Sequence, residues 1–291
     1  MHNSFDPHDH SDACAEQQGL TRPMMICADD FGIEPGVDEA IIELAQLGRL
    51  SATSCLTLAA GFKERAQALK PLPIDLGLHL NFTESLGAQQ GLYLPLPTLL
   101  LQAYLRRLPA QTVRMQIQQQ LDAFEQHLGQ IPDFVDGHLH VHQLPVIREQ
   151  LLEVLCQRYP HALPFLRLTI PGPLSSALPA MQRVKAHVIG ALGARALASQ
   201  AKKLGARMNR DFFGAYDFSR AHPPYSVMLD AWLQHASQAS LIMAHPARYV
   251  SGQDAFGQDR VQEYRVLGSE LFTALMTQHR LRLCRFSECH V

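Results

Sequence analysis

Three histidines at alternate positions are the feature of this sequence that most clearly suggests chemistry. The segment Val135–Pro145 reads VDGHLHVHQLP and places His138, His140 and His142 two residues apart. Successive side chains of a strand point to opposite faces, so a strand here would turn all three imidazoles, with Asp136, to one side. Three imidazoles on one face favour a metal site, and the alternative is a surface strand with solvated histidines.

Further acids and histidines follow other apolar runs. Asp29 and Asp30 come after MMIC, His79 lies in GLHLN, and His245 lies in MAHP. A catalytic metal site commonly has three protein ligands and one open position. One aspartate can bind a cation while its neighbour stays free as a base, although adjacent aspartates also occur as a helix N-cap pair. Pointing both acids inward requires a bend in the chain, and Gly32 is placed to permit one.

The elements that would carry these residues alternate between short apolar strands and amphipathic helices. Strands are predicted in the segments 24–32, 51–59, 74–84, 133–142, 165–172, 212–216, 239–247 and 281–286. Repeated strand–helix units without a domain-sized linker predict a parallel α/β sheet. About seven or eight units in one chain of 291 residues predict a single TIM-like (β/α) barrel, regular or distorted.

The predicted barrel explains why the chemical groups recur at strand ends. The carboxyl ends of barrel strands meet on one face, and active sites are built there. We therefore expect one domain over residues 22–291, preceded by a polar, disordered tail over residues 1–21. A Leu/Pro-rich stretch around residues 87–109 interrupts the alternation of strands and helices and is predicted to be an inserted loop or lid.

Composition excludes several classes of function. The chain has 25 Lys and Arg against 27 Asp and Glu and contains no polybasic block, so nucleic acid is a poor partner. No segment is long and apolar enough to span a bilayer. The six cysteines are scattered and are expected to be free thiols, which favours a reduced, cytoplasmic setting. The sequence leaves a homodimer open.

Four short motifs in the same order resemble the YdjC-like (ChbG-type) carbohydrate deacetylase family. They read ADDFG, GLHLN, DGHLHVH and MAHP, and they extend from Met24 to the final strand. The resemblance implies a TIM-like barrel. It also implies metal-dependent removal of an acetyl group from an N-acetylated sugar, such as a chito-oligosaccharide or a related glycan or glycolipid.

The resemblance also implies a role for each motif residue. Asp30, His79 and His138 would be metal ligands, Asp29 the general base, and His245 the group that protonates the leaving amine. His140 and His142 would line the substrate pocket.

Two further residues are weighed on their own positions. Arg167, in the strand FLRLTIPG, is a candidate for sugar or carboxylate binding, with a structural salt bridge as the alternative. Asn81 follows His79 and is a candidate for substrate binding or for a supporting hydrogen bond, with a turn as the alternative.

The sequence departs from the family pattern without losing an inferred ligand or base. Cys27 replaces the usual Asn, Gly137 replaces Ser, Leu139 stands where a histidine is frequent, and Ala244 replaces Cys. Two imidazoles and one carboxylate suit zinc, cobalt, nickel or manganese by ligand softness, whereas the resemblance implies magnesium. One divalent ion is therefore expected.

Two other functions are compatible with parts of the pattern. An amidohydrolase- or PHP-type metal hydrolase also uses an H-x-H motif, but on its first strand, whereas the first strand here carries two aspartates. An inactive metal-binding barrel is the other alternative, and it gives no reason for a free carboxylate beside the ligands.

Overall fold

The computed structural model describes residues 21–174, 176, 178–217, 222–250 and 257–289. The predicted tail lies outside these residues except for Thr21. Within the described part of the chain, no helix combines the length and the apolar character needed to cross a bilayer.

Eight strands form one sheet in which every pairing is parallel. They are β1 (Arg22–Phe31), β2 (Ala52–Cys55), β3 (Asp75–Leu80), β4 (Phe134–Gly137), β5 (Phe165–Leu166), β6 (Phe212–Phe213), β7 (Leu241–Ala244) and β8 (Leu281–Leu283). Their order is β5-β4-β3-β2-β1-β7-β6, and β8 pairs with the start of β1. Single parallel bridges, Leu166 to Met208 and Pro171 to Phe212, connect the two edges of the sheet.

Helices connect most of the strands. They are α1 (Pro35–Gln46), α2 (Phe62–Arg65), α3 (Leu96–Tyr104), α4 (Ala110–Leu128), α5 (Ile147–Arg158), α6 (Ala180–Ala191), α7 (Ala194–Lys203), α8 (Tyr225–His235), α9 (Gly257–Leu267) and α10 (Glu270–Gln278). Two 3₁₀ segments, Ala66–Leu69 and His138–Gln143, complete the described elements. The predicted α/β class and single barrel-like domain are confirmed, as a curled parallel sheet whose edges meet only through isolated bridges.

The first strand shows how the sequence directs its side chains. Met24, Ile26 and Ala28 pack in the layer shared with the helices, while the alternate residues Met25 and Cys27 pack in the smaller interior cluster. This is the period of two expected for a strand that is buried on both faces. Continuing the alternation carries Asp29 to the end of the interior, where the chemical groups gather.

Aromatic rings fill the lower part of that interior. Phe286 stacks on Phe134 at a centroid distance of 4.4 Å and meets the edge of Phe165 at 4.7 Å. Nearby, Cys284 and Cys289 form a disulfide, so the expectation of free thiols is wrong for this pair. Their scattered spacing gave no signal, because the pairing depends on a turn at the end of the chain.

Two helical predictions differ in detail from the structure. The predicted insertion around residues 87–109 contains helix α3. The sequence also predicts one long Ala-rich helix around residues 186–204, but the structure divides this region into α6 and α7 at Gly193, which has φ +123°. A side chain there would also bring its Cβ within 2.2 Å of the Gln143 carbonyl oxygen, so the break is fixed by a close backbone approach.

Candidate active site

A bend at the end of β1 turns both aspartates toward the same site. The pairing register of β1 with β2 shifts between Ala28 and Phe31, and Asp30 adopts the left-handed φ of +73°. In a regular strand Asp30 would face the helices, opposite to Asp29. The irregularity redirects it, and aspartate is one of the few residue types that tolerate this backbone region. The expected bend therefore lies at Asp30 itself, with Gly32 completing the turn at φ +102°.

Three predicted ligands converge next to this bend. Oδ1 of Asp30 lies 3.0 Å from Nδ1 of His138 and 3.4 Å from Nε2 of His79. One donor atom from each residue falls within 4.8 Å of the other two, and all three residues are buried. Two imidazole nitrogens and one carboxylate oxygen aimed at a common point match the donor set of a three-ligand catalytic metal centre.

Buried charges shift the pKa values of Asp30 and His79. Burial opposes ionisation of Asp30, but His138 and Arg260 together outweigh it and hold the pKa of Asp30 well below its ordinary value. Burial likewise opposes a charge on His79, yet the Asp136 carboxylate raises the pKa of His79 to about 10.

The carboxylate of Asp136 orients His79. Its Oδ1 accepts a hydrogen bond from Nδ1 of His79 at 2.7 Å, and Oγ of Ser54 lies 3.0 Å from the same nitrogen. This contact leaves Nε2 of His79 directed at Asp30. A carboxylate behind a ligating histidine fixes the ring and its tautomer and increases the basicity of the ligand. The alternation of the sequence had placed Asp136 on the inward face but had not assigned it this role.

Asp136→Asn is expected to lower the affinity for a divalent metal by about 10–100-fold, because His79 would lose its charged partner. Titration of the metal-free variant against a chelating dye would measure this change. Ser54→Ala is the matched control, since it removes a neutral contact from the same nitrogen, together with a hydrogen bond to Asp29, and should have a smaller effect. Equal losses in the two variants would contradict the role assigned to the Asp136 charge.

Arg167 lies beneath Asp29 and pairs with two buried carboxylates. Its guanidinium forms two hydrogen bonds to Asp29, of 2.5 and 2.6 Å, and Nη2 lies 2.6 Å from Asp136. The side chain is completely buried. Burial opposes the charge on Asp29, but the paired Arg167 outweighs it and holds the pKa of Asp29 below its ordinary value. Of the two roles weighed for Arg167, the geometry agrees with the salt bridge.

The predicted fourth strand is wrong beyond Gly137. The last pair of its ladder joins Leu80 to Gly137, and Leu139 and His140 then adopt left-handed φ values of 51° and 61°. The chain folds back so closely that a Cβ on Gly137 would lie 2.9 Å from the backbone nitrogen of His142. The three histidines therefore do not share one face, and each has its own surroundings.

His140 and His142 separate as a result. His140 lines the pocket, and its ring meets the edge of Phe212 at 5.5 Å. His142 is completely buried, and its Nε2 donates to the carbonyl oxygen of Arg167 at 2.9 Å. Burial lowers the pKa of His142 to about 4 and that of His140 well below its ordinary value, so both rings are neutral at pH 7. Only His140 lies where a substrate would contact it.

Helix α9 supports the site from outside the four motifs. Arg260 Nη2 donates to Oδ2 of Asp30 at 2.8 Å. The completely buried Glu263 accepts hydrogen bonds from the backbone N–H of His245, at 2.5 Å, and from the hydroxyl of Tyr216, at 2.6 Å. Neither residue was predicted, because charges three positions apart on a helix are typical of a solvated face. Burial lowers the pKa of His245 to about 4, so the imidazole is neutral.

Burial raises the pKa of Glu263 to about 7. A raised pKa contributes stability that is present at low pH and is lost as the pH rises through 7. Between pH 5 and pH 8 we therefore expect Glu263→Gln to gain up to about 3 kcal/mol in unfolding free energy relative to the parent. Urea unfolding of both proteins across this range would measure it.

Glu125→Gln is the control, because the Arg158 hydrogen bond lowers the pKa of Glu125. The stability difference between this variant and the parent should therefore change with pH in the opposite direction. A pH-independent difference between parent and Glu263→Gln would contradict the assignment.

A pocket of about 280 Å³ opens above the converging ligands. Its polar lining residues are Asp29, His79, His138, His140, Lys185, Tyr216 and His245, and its apolar walls include Leu96, Leu139, Ile189, Leu192 and Met243. Among the described residues, its lining includes neither Asn81 nor His142 nor Arg167. A larger cavity, of about 590 Å³, is lined in part by His187, Gly190 and Ala191 of α6. None of its lining residues is a candidate catalytic group.

Fold and site together define a parallel α/β protein with a two-histidine, one-carboxylate centre at the carboxyl ends of its strands. The sequence matches the family model described as YdjC-like protein over residues 23–278. The chain belongs to the YdjC-like family, and the predicted resemblance is confirmed.

Two related proteins and one solved structure are similar to this chain over most of its length. It is 28% identical to a human carbohydrate deacetylase over 92% of both chains. It is also 26% identical to a Klebsiella pneumoniae chitooligosaccharide deacetylase over 91% of this chain and 98% of that one. A solved Enterococcus faecalis structure, whose description refers to cellobiose-phosphate cleavage, has a TM-score of 0.66 at 19% identity. It covers 93% of this chain and 100% of that one and agrees with the fold.

Proposed function

We propose that this protein is a metal-dependent hydrolase that removes an acetyl group from an N-acetylated sugar. The observation that carries the proposal is the meeting of Asp30, His79 and His138 beside a second carboxylate, Asp29, in one pocket. The similar proteins named as carbohydrate and chitooligosaccharide deacetylases support the sugar amide as the substrate class. A chito-oligosaccharide, or a related glycan or glycolipid, is the expected form of the substrate.

The residues that would hold the metal fit a divalent ion. Asp30 would bind through Oδ1, His79 through Nε2 and His138 through Nδ1, because these atoms face one another. A divalent ion in such a centre polarises a carbonyl and lowers the pKa of bound water to about 7. Ligand softness favours zinc, cobalt, nickel or manganese over magnesium, so reconstitution should test each of them.

Asp29 would act as the general base. Its carboxylate lines the pocket and stays ionised at neutral pH because Arg167 pairs with it from below. The two hydrogen bonds from Arg167 also fix the direction of the carboxylate, so Asp29 accepts a proton from water without first reorienting. A positioned base of this kind typically contributes about 10²–10⁴ to the rate.

His245 would deliver a proton to the departing amine. It lines the same pocket as Asp29, and the bond from its backbone N–H to Glu263 holds its loop in place. Because the imidazole is neutral at pH 7, it must first take up a proton and then pass it to nitrogen.

Acetate release from N-acetylglucosamine oligomers tests the proposal. We expect release by the metal-free protein only after addition of a divalent metal, and none from His79→Ala under the same conditions. An absence of release from several acetylated sugars with each metal would instead support an inactive metal-binding barrel.

A further inference from the structure

We propose that Glu84 is a positioning residue that holds the imidazole of His138 for metal binding. This rests on the metal centre of the proposed function and extends it to a residue outside the ligand set. Glu84 lies four residues after β3, and its side chain is half exposed, at 50%.

The contact reaches the side of His138 that faces away from Asp30. Nδ1 of His138 faces Asp30 Oδ1 at 3.0 Å, whereas Nε2 lies 3.5 Å from Oε1 of Glu84. Nε2 itself is buried from solvent. The ring thus stands between two carboxylates, one inside the ligand set and one outside it.

The second carboxylate matters because it lies beside the ring nitrogen that would carry the proton when the other nitrogen binds a metal. A histidine that binds a cation through one nitrogen carries its proton on the other, and the partner of that proton selects the tautomer. Binding through Nδ1 leaves the proton on Nε2, the nitrogen that lies 3.5 Å from the Glu84 carboxylate.

Asn81 holds Glu84 in the required place. Its Oδ1 accepts hydrogen bonds from the backbone N–H groups of Thr83, at 2.9 Å, and Glu84, at 3.2 Å. Its Nδ2 donates to the carbonyl oxygen of Glu84 at 2.6 Å. The amide of Asn81 is used by this turn, so in this role it acts on the metal centre through Glu84.

His79 and His138 differ in how they are supported. Asp136 orients His79 from a completely buried position, whereas Glu84 approaches His138 from the solvent side. Substitution of a half-exposed residue leaves the core intact, so an effect on metal binding can be separated from an effect on folding.

Zinc titration of the metal-free full chain against a competing chelator tests the inference. We expect Glu84→Ala to lower zinc affinity by about 10–100-fold, with Glu84→Gln intermediate because its amide oxygen keeps a polar acceptor, without the charge, beside Nε2 of His138. Asn81→Ala should lower affinity by less than Glu84→Ala. Glu64→Ala, which removes an exposed carboxylate from α2, is the control and should bind as the parent does.

Unchanged zinc affinity in Glu84→Ala, or an equal loss in Glu64→Ala, would overturn the inference. A parent protein that binds no zinc would overturn it as well. Acetate release separates the two proposals: weaker binding by Glu84→Ala in a protein that never releases acetate would support Glu84 while refuting the deacetylase function.

Discussion

Asp29→Asn is expected to reduce kcat by about 10²–10⁴-fold while the protein still binds its metal. The substitution keeps the shape of the side chain but removes the group that accepts a proton. The proposed metal donors are Asp30, His79 and His138. His79 pairs with Asp30 and Asp136, and His138 pairs with Asp30, so these pairs do not include the Asp29 carboxylate. Single-turnover deacetylation, with bound metal measured in the same sample, would separate the two effects.

The buried guanidinium of Arg167 determines how stable Asp29→Asn is expected to be. In Asp29→Asn it keeps Asp136 as a charged partner at 2.6 Å, so we expect a folded protein with reduced stability. Ser54→Ala is the control, because Oγ of Ser54 donates to Asp29 at 3.1 Å without being a base itself. Loss of metal from Asp29→Asn would show that the roles of the two aspartates are reversed.

His79→Ala is expected to abolish both metal binding at micromolar concentration and acetate release. His79 is one of the three donors, and its loss removes a metal–ligand bond as well as the buried partner of Asp136. The loss in affinity should therefore exceed the about 10–100-fold typical of residues that act only through a ligand. Metal content after dialysis, together with the metal-induced shift in Tm, would measure it.

His140→Ala is the matched control for this variant. His140 lines the same pocket but lies outside the donor group, so its removal should leave metal affinity unchanged. Retention of full metal affinity by His79→Ala would show that the centre is not formed by Asp30, His79 and His138. Loss of metal in both His79→Ala and His140→Ala would indicate that either substitution disrupts the structure of the whole pocket.

Local pattern and general rules for parallel sheets predicted much of this molecule. Strand–helix alternation gave the fold class, because buried strands and amphipathic helices have distinct periods. The positions of Asp30, His79 and His138 at strand ends predicted their convergence, because such ends meet on one face of a barrel. The assignment of Asp29 as the general base and of Asp30 as a metal ligand came from the family resemblance and remains a prediction.

The alternation of histidines was a misleading signal. Residues 138–142 have the period of a strand, yet the pairing with β3 ends at Gly137 and two left-handed residues follow. The sequence could not reveal this change, because it depends on how closely His142 returns to Gly137 in the folded chain. One of the three histidines consequently reaches the ligand set, one lines the pocket and one is buried beneath it.

The sequence by itself determined the fold class, the family and the set of residues that could bind a metal. Each of these depends on residue type and on order along the chain. Only the tertiary structure decided which atoms face one another. Arg167 meets Asp29, Asp136 meets His79, and α9 brings Arg260 and Glu263 to the site from the far end of the chain. Such contacts join distant segments, and their distances are set by the packing of the whole barrel.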